Sequence, residues 1–356
     1  MGAKMSGDES STAVTDIWKY VFGFADAAIV KCAIELGIPD VMMSLSGDSI
    51  KLSQLSLALG LGVPAPSLLR IMRFLANRGF FKLSVSHYRN DPAYSLTPLS
   101  KLLLKDGPGS LAPLILFESH PAMVAPWHNM AARVRGEDMP YEKANGEDIW
   151  EHMESNRELG RILDAGLACH ARILVPALIE KWPELFDNVK TVVDVGGGNG
   201  SAMGEVTRMI PSIKAINFDL PHVVAEVPRQ ERVINTGGDM FKEVPKADAA
   251  FLMWVLHDWS DNDCIRILKN CSDAVPKDKG KVIIVEAVIE EDEEEGEGDG
   301  LRGVRLTLDM VMMSHTKEGK ERTRREWEYL LKEAGFSTHT INPIPAILHS
   351  VIQAFP

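Results

Sequence analysis

The residues of this chain with chemical potential gather in its second half, most of them at the ends of apolar runs. VVDVGGGNG places glycines at 196, 197, 198 and 200 directly after a β-branched stretch. INFDLP carries Asp219, GGDMF carries Asp239 and Met240, and FLMWVLHDWSD carries His257. VIIVEAV supplies Glu286 and KERT supplies Glu321. Glycines after a strand let the chain turn tightly and bring its backbone against a ligand, with the next helix behind them. Gly196, Gly198 and Gly200 spell GxGxG, and Gly204 is near enough to blur the contrast with the GxGxxG of dinucleotide folds. No Lys-Ser or Lys-Thr follows, so the loop is not a P-loop. Taken alone, the same letters also describe a plain glycine turn.

The acids narrow the choice. Asp219 stands about 20 residues beyond the glycines, where a carboxylate accepts both hydroxyls of a ribose. Asp239 suits an exocyclic amine and Met240 the face of a base, so an adenosine-bearing ligand is expected. Asp194, Asp219 and Asp239 put three carboxylates at the strand ends, a poor environment for pyrophosphate. S-adenosylmethionine instead presents an amine, a positive sulfonium and a carboxylate that glycine-loop amides can receive. A NAD-dependent oxidoreductase is the rival reading, allowed by Gly204 and Asp219 and opposed by Asp239 and the acidic lining. An isolated histidine is commonly structural, but His257 follows a strand in the same set. Methyl transfer to a phenol requires removing a proton whose pKa is about 10, and histidine is the usual base near neutrality. Glu286 and Glu321 are candidate partners to fix its tautomer and leave the other ring nitrogen free. Asp258 reads as a loop or cap residue.

These residues need a frame. Beyond Lys190 the runs KTVVDVG, KAINFDLP, RVINTGGDMF, ADAAFLMWVLHDW, KVIIVEAVI and AILHSVIQAF alternate with helical stretches. This predicts an α/β fold with a doubly wound, mostly parallel sheet. Before it, LSQLSLALGL, a turn at GVPAP and SLLRIMRFLANRGFF read as helix, turn, helix. FKLSVSHYRNDPAYSLT reads as a hairpin turning at Asn90-Asp91-Pro92. That winged-helix pattern serves DNA binding or dimerisation. Arg70, Arg73 and Arg78 do not make a basic face, and dimerisation is the expected use. The division expected is a winged-helix-like dimerisation domain over 1–115 and a ligand-binding domain over 116–356, with a helical segment at 116–185.

Composition is that of an ordinary globular protein. The 356 residues are 45% hydrophobic and 25% charged, with a formal net charge of -12, which argues against a nucleic-acid partner. No window approaches the roughly 18 uninterrupted apolar residues of a membrane span, and the opening lacks a secretory h-region. A cytoplasmic protein without a membrane partner is expected. Cys32, Cys169, Cys264 and Cys271 are widely spaced and read as reduced thiols rather than a disulfide framework or a zinc site. The acidic run Glu290–Gly300 reads as a solvated loop.

Taken together, VDVGGGNG, INFDLPHV, GGDMF, LHDWSD, DMVMMSHTKEGKERT and EWEYLLKEAGF resemble the plant small-molecule O-methyltransferases, the caffeic acid, isoflavone and norcoclaurine enzymes, over nearly the whole chain. LKNCSDAVP and IPAILHSVIQAFP are most similar to the norcoclaurine 6-O-methyltransferase-like branch. The resemblance implies a class I methyltransferase domain behind a winged-helix dimerisation domain, homodimeric and acting without metal, which converts S-adenosyl-L-methionine to S-adenosyl-L-homocysteine. By position it implies His257 as general base flanked by Glu286 and Glu321. Gly196 lies at the methionine end of the cofactor, Asp219 at the ribose, and Asp239 with Met240 at the adenine. Met253 stands where the family often has lysine, which puts one cofactor contact in doubt. The resemblance also places Leu163, Leu167, His170, Val311 and Met312 against the acceptor, with Trp150 and Met153 nearby. The expected acceptor is a phenolic specialised metabolite. A benzylisoquinoline-type alkaloid is favoured, and flavonoids, stilbenes and phenylpropanoids are the alternatives.

Overall fold

A computed structural model describes residues 7–45, 47–60, 65–84, 91–107, 109–290, 300–345 and 347–356. It resolves into two compact units, 1–120 and 121–356. In the first unit, the helices Phe24–Glu35, Ile38–Ser44, Leu52–Ala58 and Ala65–Asn77 pack with three short strands. These are β1 (Ile50–Lys51), β2 (Phe81–Ser84) and β3 (Ala93–Leu96), in the order β1-β3-β2, all antiparallel. The core is built from Ile34, Ile38, Leu55, Met72, Leu75, Phe81 and Tyr94. Met72 and Leu75 lie three apart on one helical face, and both are fully buried. The two paired hairpin strands expected from the sequence are present, and Asn90 of the expected turn lies outside the described residues. Arg78 is held by Asp26 at 2.5 Å, while Arg70 and Arg73 are exposed.

The second unit carries a seven-stranded sheet. Its strands are β4 (Thr191–Val195), β5 (Lys214–Asp219), β6 (Val233–Gly237), β7 (Ala249–Met253) and β8 (Lys281–Glu286), then, after the short β9 (Val288–Ile289) and β10 (Arg322–Thr323), β11 (Thr338–Pro343) and β12 (Ser350–Phe355). The order is β11-β12-β8-β7-β4-β5-β6, and β9 pairs with β10 separately. All neighbours among β4 to β8 run parallel; β12 runs antiparallel to β8 and β11 antiparallel to β12. Strands β4, β7 and β8 are buried on both faces, which their continuous Val, Ile, Ala and Leu content requires. The sequence pattern finds β12 without its direction and misses β11. Thr338–Pro343 is an edge strand with one buried residue, and so it lacks the apolar run that signals a strand.

One helix, Arg157–Lys181, is long and apolar enough to cross a membrane by length and composition. Its apolar face is spent inside the unit: Leu174, Val175, Leu178 and Ile179 are buried in one cluster with Val192, Ala249, Phe251 and Ile283 of the sheet. The order of strands in the sheet places β4 between β5 and β7, where the winding reverses, and ligands in such sheets bind beyond the carboxyl ends at that point. The glycine loop leaves β4 there.

Candidate active site

The loop after β4 shows what the glycines do. Gly196, Gly198 and Gly200 have φ of 74°, 53° and 73°, the left-handed region that other residues enter only with strain. A Cβ on Gly197 would overlap Asn217 Oδ1 and stand 2.8 Å from Asp194 Oδ2, whereas at Gly198 it would meet nothing within 4 Å. Gly197 therefore buys close packing of β4 on β5, and Gly198 leaves an open backbone face. The expected reception of a ligand carboxylate by the loop amides needs correction. Gly196 and Gly197 both donate their N–H to the Phe218 carbonyl, at 2.9 and 3.3 Å, and Gly198 donates to Asp219 Oδ2 at 2.8 Å. These three donors are committed within the fold.

The three acids separate by environment. Asp219 accepts from the N–H of Gly198 and of Leu220 (2.7 Å) and is partly exposed at the end of β5. Burial raises its pKa, against the pull of those two donors. A carboxylate has about four lone-pair sites, so it retains acceptor capacity for ribose hydroxyls. Asp239 lies beyond β6. Slight burial pushes its carboxyl up, but the Phe241 N–H at 2.9 Å and Lys242 at 3.1 Å hold it below its ordinary value. Its neighbour Met240 packs against the core edge. Asp194 is no surface acid: burial, then the nearby Asp219, raises its pKa to about 8, and its Oδ2 has no partner. The acidic lining is therefore Asp219 and Asp239, with Asp194 beneath it. These two acids and the open face at Gly198 fit an adenosine-bearing ligand with a cationic end.

His257 sits just past β7 in a short 3-10 turn, Leu256–Asp258, and is buried. Its Nδ1 is 2.8 Å from Glu321 Oε1 and 3.6 Å from Glu286 Oε2. The two glutamates divide their work. Glu286 Oε1 accepts the N–H of Val255 at 3.0 Å and of Leu256 at 2.8 Å, fixing the turn, while Glu321 Oε1 is the partner at hydrogen-bond distance from the ring. Glu321 is in turn set by its own N–H to Asp309 Oδ1 at 3.0 Å. Asp258, read from the sequence as a loop or cap residue, is half-buried and lies 3.7 Å from His257 Nε2, so it faces the second nitrogen. Burial alone would lower the pKa of His257; Glu286, Asp258 and Glu321 outweigh it and raise it. Arg322, fully buried, fastens the same turn by donating to the carbonyls of Leu256 (2.9 Å) and Trp259 (2.7 Å) and to Asp261 (3.0 Å). Sequence reasoning stopped at Glu321 and missed both Asp258 and Arg322, although the latter is its neighbour.

Trp254 has φ of 56°, rare for a bulky residue and of a kind found where function fixes a backbone. Its indole stacks on His170 at 3.9 Å and faces His257 at 6.0 Å. His170 is thus brought close to His257. Leu163 and Leu167 precede it by seven and three residues on the same helix face and are half-buried. Met312 is three residues beyond Asp309 on the helix Arg302–His315 and is buried, so it shares the face toward Glu321; Val311 is half-buried beside it. Met153 is half-buried on the helix Ile149–Ser155, where Trp150 is 47% exposed. Met253 ends β7, partly buried and packed in the core around Phe251 and Val285, an apolar role in place of a cation.

Known proteins match this arrangement. The chain fits the family model of the O-methyltransferase domain over residues 127–337. It fits that of the O-methyltransferase dimerisation domain over residues 18–106. It is 45% identical over 359 residues to acetylserotonin O-methyltransferase of Arabidopsis thaliana, covering 97% of this chain and 93% of that one. With (R,S)-reticuline 7-O-methyltransferase of Papaver somniferum it shares 38% over 358 residues, 99% of each. The crystal structure of human N-acetylserotonin methyltransferase in complex with SAM superposes with a TM-score of 0.83 at 21% identity, over 100% of this chain and 99% of that one. With the glycine loop and acids at the switch point and a carboxylate-held histidine beside them, the chain belongs to the plant S-adenosylmethionine-dependent O-methyltransferase family.

Proposed function

We propose that this enzyme methylates a phenolic hydroxyl of an aromatic specialised metabolite, with His257 as general base. The observation that carries the reading is the pair His257 Nδ1 and Glu321 Oε1 at 2.8 Å. A carboxylate there supports the tautomer with the proton on Nδ1, which leaves Nε2 as the acceptor for a phenol proton. When bound, S-adenosylmethionine supplies an electrophilic methyl group on a cationic sulfur. Asp219 holds the ribose, Asp239 and Met240 receive the adenine, and the open face at Gly198 with Gly196 borders the methionine end. Glu286 keeps the turn in place through Val255 and Leu256, and Leu163, Leu167, His170, Val311 and Met312, with Met153 and Trp150 farther out, give an aromatic ring its apolar walls. Holding both reactants in a near-attack arrangement removes much of the entropy cost of their meeting. The two relatives reported above are named for different acceptors, acetylserotonin and reticuline, and the ring system is what experiment supplies. Isotopically labelled cofactor and a panel of catechol alkaloids, flavonoids, stilbenes, phenylpropanoids and hydroxyindoles supply it: a labelled methyl ether in one class fixes the acceptor, and none in any class removes the reading.

A second arrangement of the same residues is a metal site, because donor atoms of His257, Glu286 and Glu321 lie within 4.8 Å of one another. The geometry favours hydrogen bonding: Glu286 Oε1 is occupied by two backbone donors, and the His257–Glu321 separation is that of a hydrogen bond. Turnover is accordingly expected to survive dialysis against a strong chelator unchanged; loss restored by a divalent ion would support the metal arrangement instead.

We also propose a homodimer formed through the first unit. The helix Gly7–Phe22 exposes Val14, Ile17, Trp18, Val21 and Phe22, each 49–58% accessible and spaced to share one helix face, and apolar residues grouped in this way mark interaction surfaces.

A further inference from the structure

One imidazole near the base has no part in the reading above. His349 immediately precedes β12, and the next residue, Ser350, is the register partner of Glu286 at the end of β8. Because β12 runs against β8, its beginning lies at the same sheet edge as His257. The His349 ring lies 5.1 Å from Trp254 and 4.8 Å from His170, completing a cluster of two imidazoles and an indole beside the base. Its backbone is fastened on both sides: Arg305 Nε donates to the Leu348 carbonyl at 2.9 Å, and the His349 carbonyl accepts the Ile344 N–H at 2.9 Å. Yet the side chain is 1% exposed and neither ring nitrogen has a hydrogen-bond partner. His170 Nδ1 and Trp254 Nε1 are unpartnered and buried in the same cluster.

Buried polar groups are almost always paired, because a donor or acceptor out of water without a partner is costly. Apolar packing alone would be served as well by leucine or phenylalanine. We propose that His349 is an acceptor-recognition residue, whose imidazole hydrogen-bonds a second oxygen of the phenolic substrate, a hydroxyl or carbonyl other than the one methylated. The inference rests on the phenol reading and narrows it to acceptors carrying at least two oxygen functions. A neutral imidazole offers one donor and one acceptor, which matches a hydroxyl or a carbonyl. Burial, with His170, His257 and Arg305 nearby, keeps the ring neutral. A site built to bond such a group discriminates against the analogue lacking it far more strongly than an apolar wall does.

The test compares two acceptors that share the methylated hydroxyl and differ in the second oxygen. For the dioxygenated acceptor, His349→Leu is expected to lower kcat/KM about tenfold or more, mainly through KM, and His349→Gln to recover part of the loss. For the analogue, His349→Leu should change kcat/KM less than about twofold. Cofactor affinity by calorimetry stays at the level of the unaltered enzyme. In histidine-labelled protein with S-adenosylhomocysteine, the His349 ring nitrogen resonances should move on adding the dioxygenated acceptor and stay in place with the analogue. Equal losses on both acceptors, or resonances indifferent to the second oxygen, would assign His349 to packing and overturn the proposal. If the unaltered enzyme methylates no phenol of the panel, the phenol reading itself fails, and that outcome is separate from one in which both acceptors turn over and His349 fails to tell them apart.

Discussion

His257 is surrounded by three carboxylates whose placement differs: Glu321 holds Nδ1, Glu286 builds the turn and Asp258 faces Nε2. If the imidazole is the base, His257→Ala keeps cofactor affinity by calorimetry and loses about 10²–10⁴-fold in turnover. Near-normal turnover would remove that role. The pH profile carries a sign. Burial opposes charge on the ring and the carboxylates outweigh it, so the proton is held above the ordinary imidazole value of 6.5. Only the neutral ring accepts a proton, and kcat/KM should therefore rise with pH along a limb centred above that value. Glu321→Gln removes one stabilising negative charge, lowers the pKa of His257 and moves the limb toward lower pH, while turnover falls because the ring is less well oriented. An unmoved limb would mean that another group titrates there. The histidine and both glutamates are legible in the sequence as types and positions; Asp258 is not, because a residue beside the base looks the same whether it caps a turn or faces the ring.

Among the elements, the short turn Leu256–Asp258 bears the most consequence, and two residues from distant segments hold it. Glu286 satisfies its amides and Arg322 two carbonyls, at Leu256 and Trp259, with the guanidinium 5.7 Å above the ring of Trp327. Replacing Arg322 by methionine leaves two buried carbonyls without their donor and is expected to cost on the order of 3 kcal/mol. Such a loss lowers the melting temperature by on the order of 10 °C, and kcat should fall more than KM rises because the turn carries the base. A melting curve and kinetics below the melting range check both. A variant as stable and active as the parent would show that the clamp is dispensable. The strands β4, β5, β7 and β8 are readable from their apolar runs, whereas β11 is hidden because an edge strand with polar alternation needs no such run.

Over the whole molecule, the first unit has a core of its own and also an apolar helix outside it. Trp18 and Phe22 stack at 5.6 Å and both remain exposed. Light scattering should give twice the 39.3 kDa chain mass, and the double substitution Trp18→Glu with Phe22→Glu should give the single mass with an intact thermal transition for the second unit. A dimer that survives those charges would place the interface elsewhere.

Local chemistry sufficed for the outline: glycines after a buried strand, an acid about 20 residues on, a histidine past the fourth strand of the sheet, and several long motifs in order. These are properties of short segments, and they determined the fold class, the cofactor and the reaction family. The tertiary structure alone decided which glutamate meets the Nδ1 of His257, since Glu321 is 64 residues away and is brought there by β9 pairing with β10 and by the bonds of Lys320 and Arg322 to the same turn. It also decided that the last strand runs backwards, because an apolar run reads the same in either direction, and that reversal is what carries His349 to the catalytic edge. Pairing between distant segments depends on how elements pack, which no local pattern encodes.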